Sequence, residues 1–478
     1  MSTATQSLAA ARITALLDAN SFVEIGHGVT ARTTDFNMTE KKAPSDGVIT
    51  GYGVIDGNLV YVYSQDASVL NGTVGEMHAK KIARVYDLAI KTGAPVIGLI
   101  DCAGLRLEEA TDVLEAFGSI YLKAVTASGI VPQITGIFGN CGGGMAVLPA
   151  LSDFTFIEEK KGRMFINTPN ALAGNEVGKC DTAAAAFQSQ ETGVVDGYGT
   201  EDEILGKIRA LVSMLPSNFE DNDSYAECED DLNRVVDDLA DCAEDGGLAL
   251  ARIADDEIFL ETKADYGRDM ATGFIRLNGI TVGAIANRSI LFDEEGKEKE
   301  TFDGTISARG ARKAADFVRF CDAFNIPVLT LTNTTGFKAT LCSEKQMAKA
   351  VGQLVHAFAD ATVPKVNVIT GKAFGNAYVV MNSKAVGADM VYAWENAEIG
   401  MMESSLAAKI MYKDADAGTL KEKAAEYQAL QQNVASAAAR GYVDTVIAPE
   451  NTRKYVIGAF EMLFTKREDR PSKKHGTV

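Results

Sequence analysis

The chain has 478 residues, too many for one comfortable core, and 46% hydrophobic content with 44 glycines points to a folded α/β protein of two domains, not a disordered one. Its 65 acidic against 46 basic residues, a net charge of −19, argue against nucleic acid or an anionic membrane as partner. Apolar runs are strand-length, no basic-then-apolar leader is present, and the seven cysteines never fall as Cys-x-x-Cys, so reduced thiols, no structural zinc and a cytoplasmic location are expected.

Leu8 to Asp18 has helical spacing and Ser21–Ile25 starts an extended region. Asp46 to Tyr63 reads as a hairpin turning at Asp56-Gly57. Thr73 to Lys91 is helix-like, with Met77, Ile82, Val85, Leu88 and Ala89 on one face. Pro95–Ile100 is a buried strand of the parallel type, ending at Asp101-Cys102-Ala103-Gly104-Leu105-Arg106. A second strand, Ile130–Ile134, runs on to Gly142-Gly143-Gly144, where bare backbone N–H groups can approach a ligand closely. A helix starting at Met145 would add its positive end to the same spot, making a candidate anion pocket from backbone alone. Between Glu220 and Asp245 stand twelve acids and one base, Arg234, a composition expected of a solvated linker with a short acidic helix. Gly273–Val282 is a further hairpin, turning at Asn278-Gly279, and Ala308–Phe324 a further helix.

The second part of the chain repeats the first. Val363–Tyr378, with Gly375-Asn376-Ala377, matches the Val131–Ala146 stretch 232 residues earlier, and the same offset carries Ala94–Ile100 with Gly104 onto Ile326–Thr332 with Gly336. Two matches in register imply two homologous halves, read as domains 1–218 and 248–478 joined by the acidic linker 219–247. The order helix, strand, glycine loop predicts parallel crossovers with sites at strand C-terminal ends. The phosphate loop, the dinucleotide fingerprint and the Gly-x-Ser-x-Gly elbow are all absent, and none of the four histidines falls in a glycine loop. Donors without a base suit a reaction in which an oxyanion is the main difficulty and a reacting partner handles the proton.

Segments Leu70–Ile82, Gly93–Gly98, Ser152–Phe154, Met164–Ile166, Leu215–Asn218, Arg319–Pro327 and Ala361–Val366 together resemble the carboxyltransferase subunits of biotin-dependent acyl-CoA carboxylases and decarboxylases. The resemblance implies a crotonase-like fold in each half and active sites at dimer interfaces, with acyl-CoA on the first half and carboxybiotin on the second. It implies oxyanion donors at the N–H groups of Gly143 and Gly144 and of Asn376 and Ala377. Ala103-Gly104-Leu105-Arg106 resembles the family's CoA loop, where Arg106, Lys80 and Lys81 would meet CoA phosphates. Gly336, Phe337 and Val379 fall at substrate-contact positions, Val379 where many relatives carry an Asp linked to acyl-chain choice. By the same resemblance biotin arrives on a separate carrier protein with a biotin carboxylase subunit, or with membrane decarboxylase subunits, and the chain is a homohexamer. Two departures stand out: Asn333–Thr340 replaces the usual Asp-Val-Pro-Gly-Phe-Leu-Pro-Gly, and Asn376 replaces a glycine, which a left-handed turn would tolerate. The expected substrate is propionyl- or acetyl-CoA; a decarboxylase α subunit acting on methylmalonyl- or glutaconyl-CoA, or a non-catalytic acyl-CoA scaffold, are the alternatives.

Overall fold

Asp56 and Asn278, each just before a glycine, take left-handed backbone (φ 48° and 53°) and close both expected hairpins. These belong to a computed structural model that describes residues 7–32, 36, 38, 43–221, 226–293 and 295–470. The chain divides into two units, Met1–Ser224 and Tyr225–Val478.

In the first unit, β1 (Val23–Ile25), β2 (Val48–Ile55), β3 (Asn58–Gln65), β4 (Val96–Cys102), β5 (Gln133–Gly142), β6 (Phe154–Glu158) and β8 (Gly197–Gly199) lie side by side in that order, while β7 (Arg163–Phe165) pairs with the far end of β5. β1 to β3 are antiparallel and the strands from β3 to β8 parallel. The helix expected from Thr73 runs Glu76–Thr92 and buries Ala79, Ile82, Val85, Tyr86 and Ala89, while Gly93, left-handed at φ 66°, ends it.

The second unit contains β9 (Leu260–Thr262), β10 (Met270–Leu277), β11 (Ile280–Asn287), the small pair β12 (Ile290–Phe292) and β13 (Glu298–Thr301), then β14 (Thr305–Ile306), β15 (Val328–Thr334), β16 (Gly336–Phe337), β17 (Lys365–Phe374), β18 (Met390–Trp394), β19 (Glu398–Gly400) and β20 (Thr445–Ile447). Its sheet order is β20-β18-β17-β15-β11-β10-β9, with β19 beside the end of β17. Read from the opposite edge, this is the first sheet strand for strand. The repeat found at constant offset is therefore a repeat of topology.

A second repeat is visible only in the fold. Gly193 and Gly441 are both left-handed (φ 71° and 76°), and three residues later Asp196 and Asp444 each accept a backbone N–H, from Thr155 and Val391, at 2.8 Å. Residues 401–440 outnumber their counterparts 166–192, so the offset, already 235 between β7 and β19, widens to 248 at these glycines. Those additional residues build the helices Ser404–Met411 and Ala417–Tyr427.

The acidic stretch packs onto the second unit from residue 226 onward. Val236, Leu239 and Cys242 join its core. Asp230 and Asp255 meet the fully buried Arg453 at 3.2 and 2.7 Å, and Asp245 meets Arg288 at 2.8 Å. Acids that look purely solvated in sequence thus have internal cations as partners.

Candidate active site in two glycine turns

β4 and β5 are neighbours, with Cys102 opposite Cys141, so the loops that follow them touch. A Cβ on Gly104 would stand 3.2 Å from the Gly142 carbonyl oxygen. The structure thereby brings Ala103 and Gly104 beside Gly143 and Gly144. Gly143 has φ +59° with open space around it, whereas a Cβ on Gly144 would lie 2.9 Å from the Tyr121 hydroxyl oxygen and 3.2 Å from the Phe117 ring. Backbone conformation demands glycine at the first position and close approach demands it at the second. Tyr121 also donates its hydroxyl to the Gly144 carbonyl, which fixes the turn. After β5 comes a 3-10 turn, Gly143–Ala146, and only then a helix of five residues, Val147–Leu151. The helix expected from Met145 starts two residues later, at Val147, and is short, so little dipole stands behind the turn.

Beneath these loops lies a buried polar hub. Arg106 is 1% exposed, and its guanidinium is taken up by Asp46, by Glu109 at 2.8 Å and by the Thr73 carbonyl at 2.6 Å. It holds the Ala103–Arg106 loop from inside and presents no free face to a phosphate; Leu105, 41% exposed, is the part of that loop facing out. Lys80 is exposed and paired with Glu76, while Lys81 is buried with its ammonium on Ser45 and the Val48 carbonyl. Asp46 accepts the His78 N–H at 2.7 Å, and its carbonyl accepts from His78 Nδ1 at 2.8 Å. His78 Nε2 faces the Gln65 amide at 3.1 Å, and that amide reaches Met145 Sδ in the glycine turn at 3.7 Å. Burial, aided by the Arg106 charge, lowers His78 to about 3, so the ring stays neutral, with Nδ1–H donating and Nε2 accepting. Burial pushes Cys102 up to about 12 and raises Cys141 well above its ordinary value, so neither thiol beside the turn is a thiolate. The site is built of donors, with no poised base among its described residues.

The second unit repeats the frame with different wiring. Thr334 is opposite Ala373 at the ends of β15 and β17, and the turn leads into the helix Gly375–Val380. The left-handed residue is Gly375, φ +58°, the counterpart of Gly143. Asn376 lies inside the helix and is exposed, so the tolerance for left-handed backbone expected of it is not used. Gly375, which the 232-residue offset assigns to Gly143, belongs to the repeated turn but is not among the expected donors. Ala377 is buried and Val379 half-buried. The altered loop is ordered: Gly336 and Phe337 pair with Thr305 and Ile306 in β14, and Thr335 and Lys338 donate to the Gly304 and Ile306 carbonyls at 2.9 and 3.0 Å. Asn333 stands where the first unit has Asp101, and each lies directly over a glycine, Gly371 and Gly139, where a Cβ would come within 2.6 and 2.0 Å of the side-chain oxygen. Asn333 accepts from Lys372 N–H at 2.9 Å and donates to the Ala243 carbonyl at 3.1 Å.

Next to this turn is a cavity of about 870 Å3, lined by Asn376 and Val379 from the turn and by residues of the added helices. Ala377, Gly336 and Phe337 are not among its lining residues. Its far wall, including Met411, Tyr412, Leu430 and Arg440, carries no motif and comes from more than twenty residues away in the chain, which is why sequence reading missed it.

The carboxyl transferase domain family matches residues 3–478. Methylmalonyl-CoA decarboxylase subunit alpha of Propionigenium modestum and the propionyl-CoA carboxylase beta chain of Roseobacter denitrificans are each 39% identical over 98% of this chain and 92% of their own length. A crystal structure of transcarboxylase 12S, described as a hexamer and holding methylmalonyl-coenzyme A and methylmalonic acid, superposes with a TM-score of 0.91 at 35% identity, covering 98% of this chain and 92% of that one. The two parallel-sheet halves are crotonase-like, and with glycine turns at corresponding strand ends and a match along nearly its full length, the chain belongs to the carboxyl transferase family of biotin-dependent acyl-CoA carboxylases and decarboxylases.

Proposed function

We propose that this chain is the carboxyltransferase component of a biotin-dependent acyl-CoA carboxylase, moving a carboxyl group between biotin on a separate carrier and the α-carbon of a short acyl-CoA, propionyl- or acetyl-CoA. The observation that carries this reading is the pair of equivalent turns at Gly143 and Gly375, with matching left-handed φ, in a chain that matches the family from end to end. The acyl-CoA lies on the first half, 1–218, against Ala103, Gly104 and Leu105, and the N–H groups of Gly143 and Gly144 hold the thioester enolate. The carrier's ureido ring lies on the second half, 248–478, where the N–H groups of Asn376 and Ala377 hold its oxygen, with Gly336, Phe337 and Val379 as neighbours. The cavity beside Asn376 has room for such a ring, which supports the fit. Biotin supplies the carboxyl on a ureido nitrogen when bound. With the ureido group there to accept the α-proton, no side-chain base would be needed, and this chain's part would be to hold the two oxygens on its backbone N–H groups. Removing one such donor lowers turnover by about 10² to 10³ in other acyl-transfer sites, enough to make backbone donors the main catalytic element.

The relatives include a decarboxylase α subunit at the same 39% identity as a carboxylase β chain, which supports the reverse direction as a second reading of the same chemistry. By the family reading the chain assembles as a homohexamer and works with a biotin carboxyl carrier and a biotin carboxylase subunit, or with membrane decarboxylase subunits. The test is loss of the carboxyl group from methylmalonyl-CoA and malonyl-CoA by the purified chain, with and without free biotin. Biotin-dependent decarboxylation is expected, faster with the preferred thioester; turnover that ignores biotin would overturn the reading.

A further inference from the structure

The strands behind the second turn carry a buried amide network that the equivalent positions of the first unit do not. Thr330 in β15 lies opposite Asn367 in β17. The same register pair in the first unit is Gly98 and Thr135, where the Tyr63 ring covers the glycine and Thr135 pairs with Ser152 at 2.8 Å. In the second unit Asn367 Oδ1 accepts from the hydroxyls of Thr330 at 3.0 Å and Thr332 at 2.8 Å. Thr332 Oγ1 also lies 3.4 Å from the Met381 carbonyl oxygen. Asn382 Nδ2 donates to Thr330 Oγ1 at 3.2 Å and to the Val366 carbonyl at 3.3 Å. All four side chains are buried, and Asn367 Nδ2 and Asn382 Oδ1 have no hydrogen-bond partner among the described residues. Apolar side chains would fill this layer at lower cost, so two half-used amides point to a need for direction, which hydrogen bonds supply and packing does not.

What needs direction is the helix Gly375–Val380. It has six residues, starts on the left-handed Gly375, and its cap, Phe374, offers it no side-chain hydrogen bond. The other end is held instead. Met381 and the left-handed Asn382 (φ 52°) follow the helix directly and meet β15 and β17 through the network, while Ser383 donates to the Val379 carbonyl at 2.8 Å. Any rotation of so short a helix about its axis carries the Asn376 and Ala377 N–H groups with it. We infer that Thr332, Asn367 and Asn382 are positioning residues, which set the direction of the Asn376 and Ala377 N–H groups by fixing the C-terminal end of that helix. This rests on the transferase reading above, which puts an oxygen on those donors, and adds to it three residues that touch no substrate.

The test uses the full chain and three variants. Thr332→Val removes the hydroxyl at nearly the same volume, Thr332→Ser puts it back, and Asn382→Gly keeps left-handed backbone while removing the amide. Hydrogen exchange read by mass spectrometry should be about fivefold faster at the Val379, Val380 and Met381 amides of Thr332→Val and Asn382→Gly. The Val147–Leu151 amides of the first unit should exchange as in wild type, and Thr332→Ser should recover most of the protection. With methylmalonyl-CoA and free biotin, kcat of the two disruptive variants should fall about tenfold or more, because misplaced donors lose the transition state. KM for the thioester should stay within about twofold, since its site is on the other unit. Wild-type exchange and kcat in both disruptive variants overturn the inference, and so does faster exchange spread equally over both turns, or faster exchange with kcat unchanged. Should Asn382→Gly not fold, Thr332→Val decides alone. Wild type lacking biotin-dependent turnover counts against the transferase reading, and the exchange comparison then decides by itself whether the network holds the helix.

Discussion

At Gly143 the open space around the Cα would admit a methyl group, so the cost of substitution is conformational. Left-handed backbone at a β-branched residue costs roughly 1–2 kcal/mol, and the turn would escape by rotating its N–H groups away from the reacting oxygen. Gly143→Val is therefore expected to lower biotin-dependent decarboxylation about 10²-fold or more, with only a modest loss in thermal stability. Steady-state assays beside thermal melts check both halves of that statement. Arg106 should behave in the opposite way. Its removal in Arg106→Met leaves Asp46 and Glu109, both fully buried, without their cation. A broken buried ion pair costs about 3–5 kcal/mol, so urea unfolding should show a large loss of stability before any effect on substrate affinity is measurable.

Helices in the two halves carry a matching device. Lys81 in Glu76–Thr92 and Lys313 in Ala308–Ala323 stand at the same 232-residue offset. Each ammonium caps backbone carbonyls at the start of its hairpin, Lys313 on the Lys263 and Met270 carbonyls at 2.8 Å. Burial lowers Lys313 from 10.5 to about 8. Above about pH 8 the folded state releases this proton while the unfolded state keeps it up to 10.5, so the wild type gains stability as pH rises through that window. The gain is on the order of 3 kcal/mol over the whole window. Lys313→Met, which cannot titrate, is expected to be destabilised relative to wild type by a margin that widens from pH 8 to pH 10, read from urea midpoints at each pH. A margin that narrows as pH rises would place the charged lysine as the favoured buried form.

Across the whole molecule, the helix Asp112–Ala127 buries Val113, Phe117 and Ile120 in its own unit, yet leaves Leu114, Leu122 and Val125 at 63%, 65% and 56% exposure. Spaced at helical intervals, they form an apolar stripe of the kind that marks an interface. Transcarboxylase 12S is described as a hexamer, and the stripe fits the hexamer proposed for this chain. Sedimentation should give six times 50.9 kDa for the wild type and a smaller species for Leu122→Glu, with the helical signal of the subunit retained.

Sequence alone determined what depends on local chemistry and on register. Asp-Gly and Asn-Gly turns, apolar strands, the helix face around Ile82 and Val85, and the duplicated glycine turns are all encoded within short windows, because backbone dihedrals and periodic burial are set by neighbouring residues. Family-level chemistry was legible for the same reason: the motifs that carry it are contiguous. Tertiary structure decided the rest. Arg106 looks like an anion ligand in sequence and proves to be an internal strut, since only the fold brings Asp46 to it from sixty residues away. The acids between residues 226 and 245 read as solvated until Arg288 and Arg453 arrive from distant segments. Arg440 has no motif around it, and it lines a cavity over the second turn only because the helices Ser404–Met411 and Ala417–Tyr427 help to wall that cavity. Charge pairing and cavity shape are sums over residues far apart in the chain, and a linear reading has no term for them.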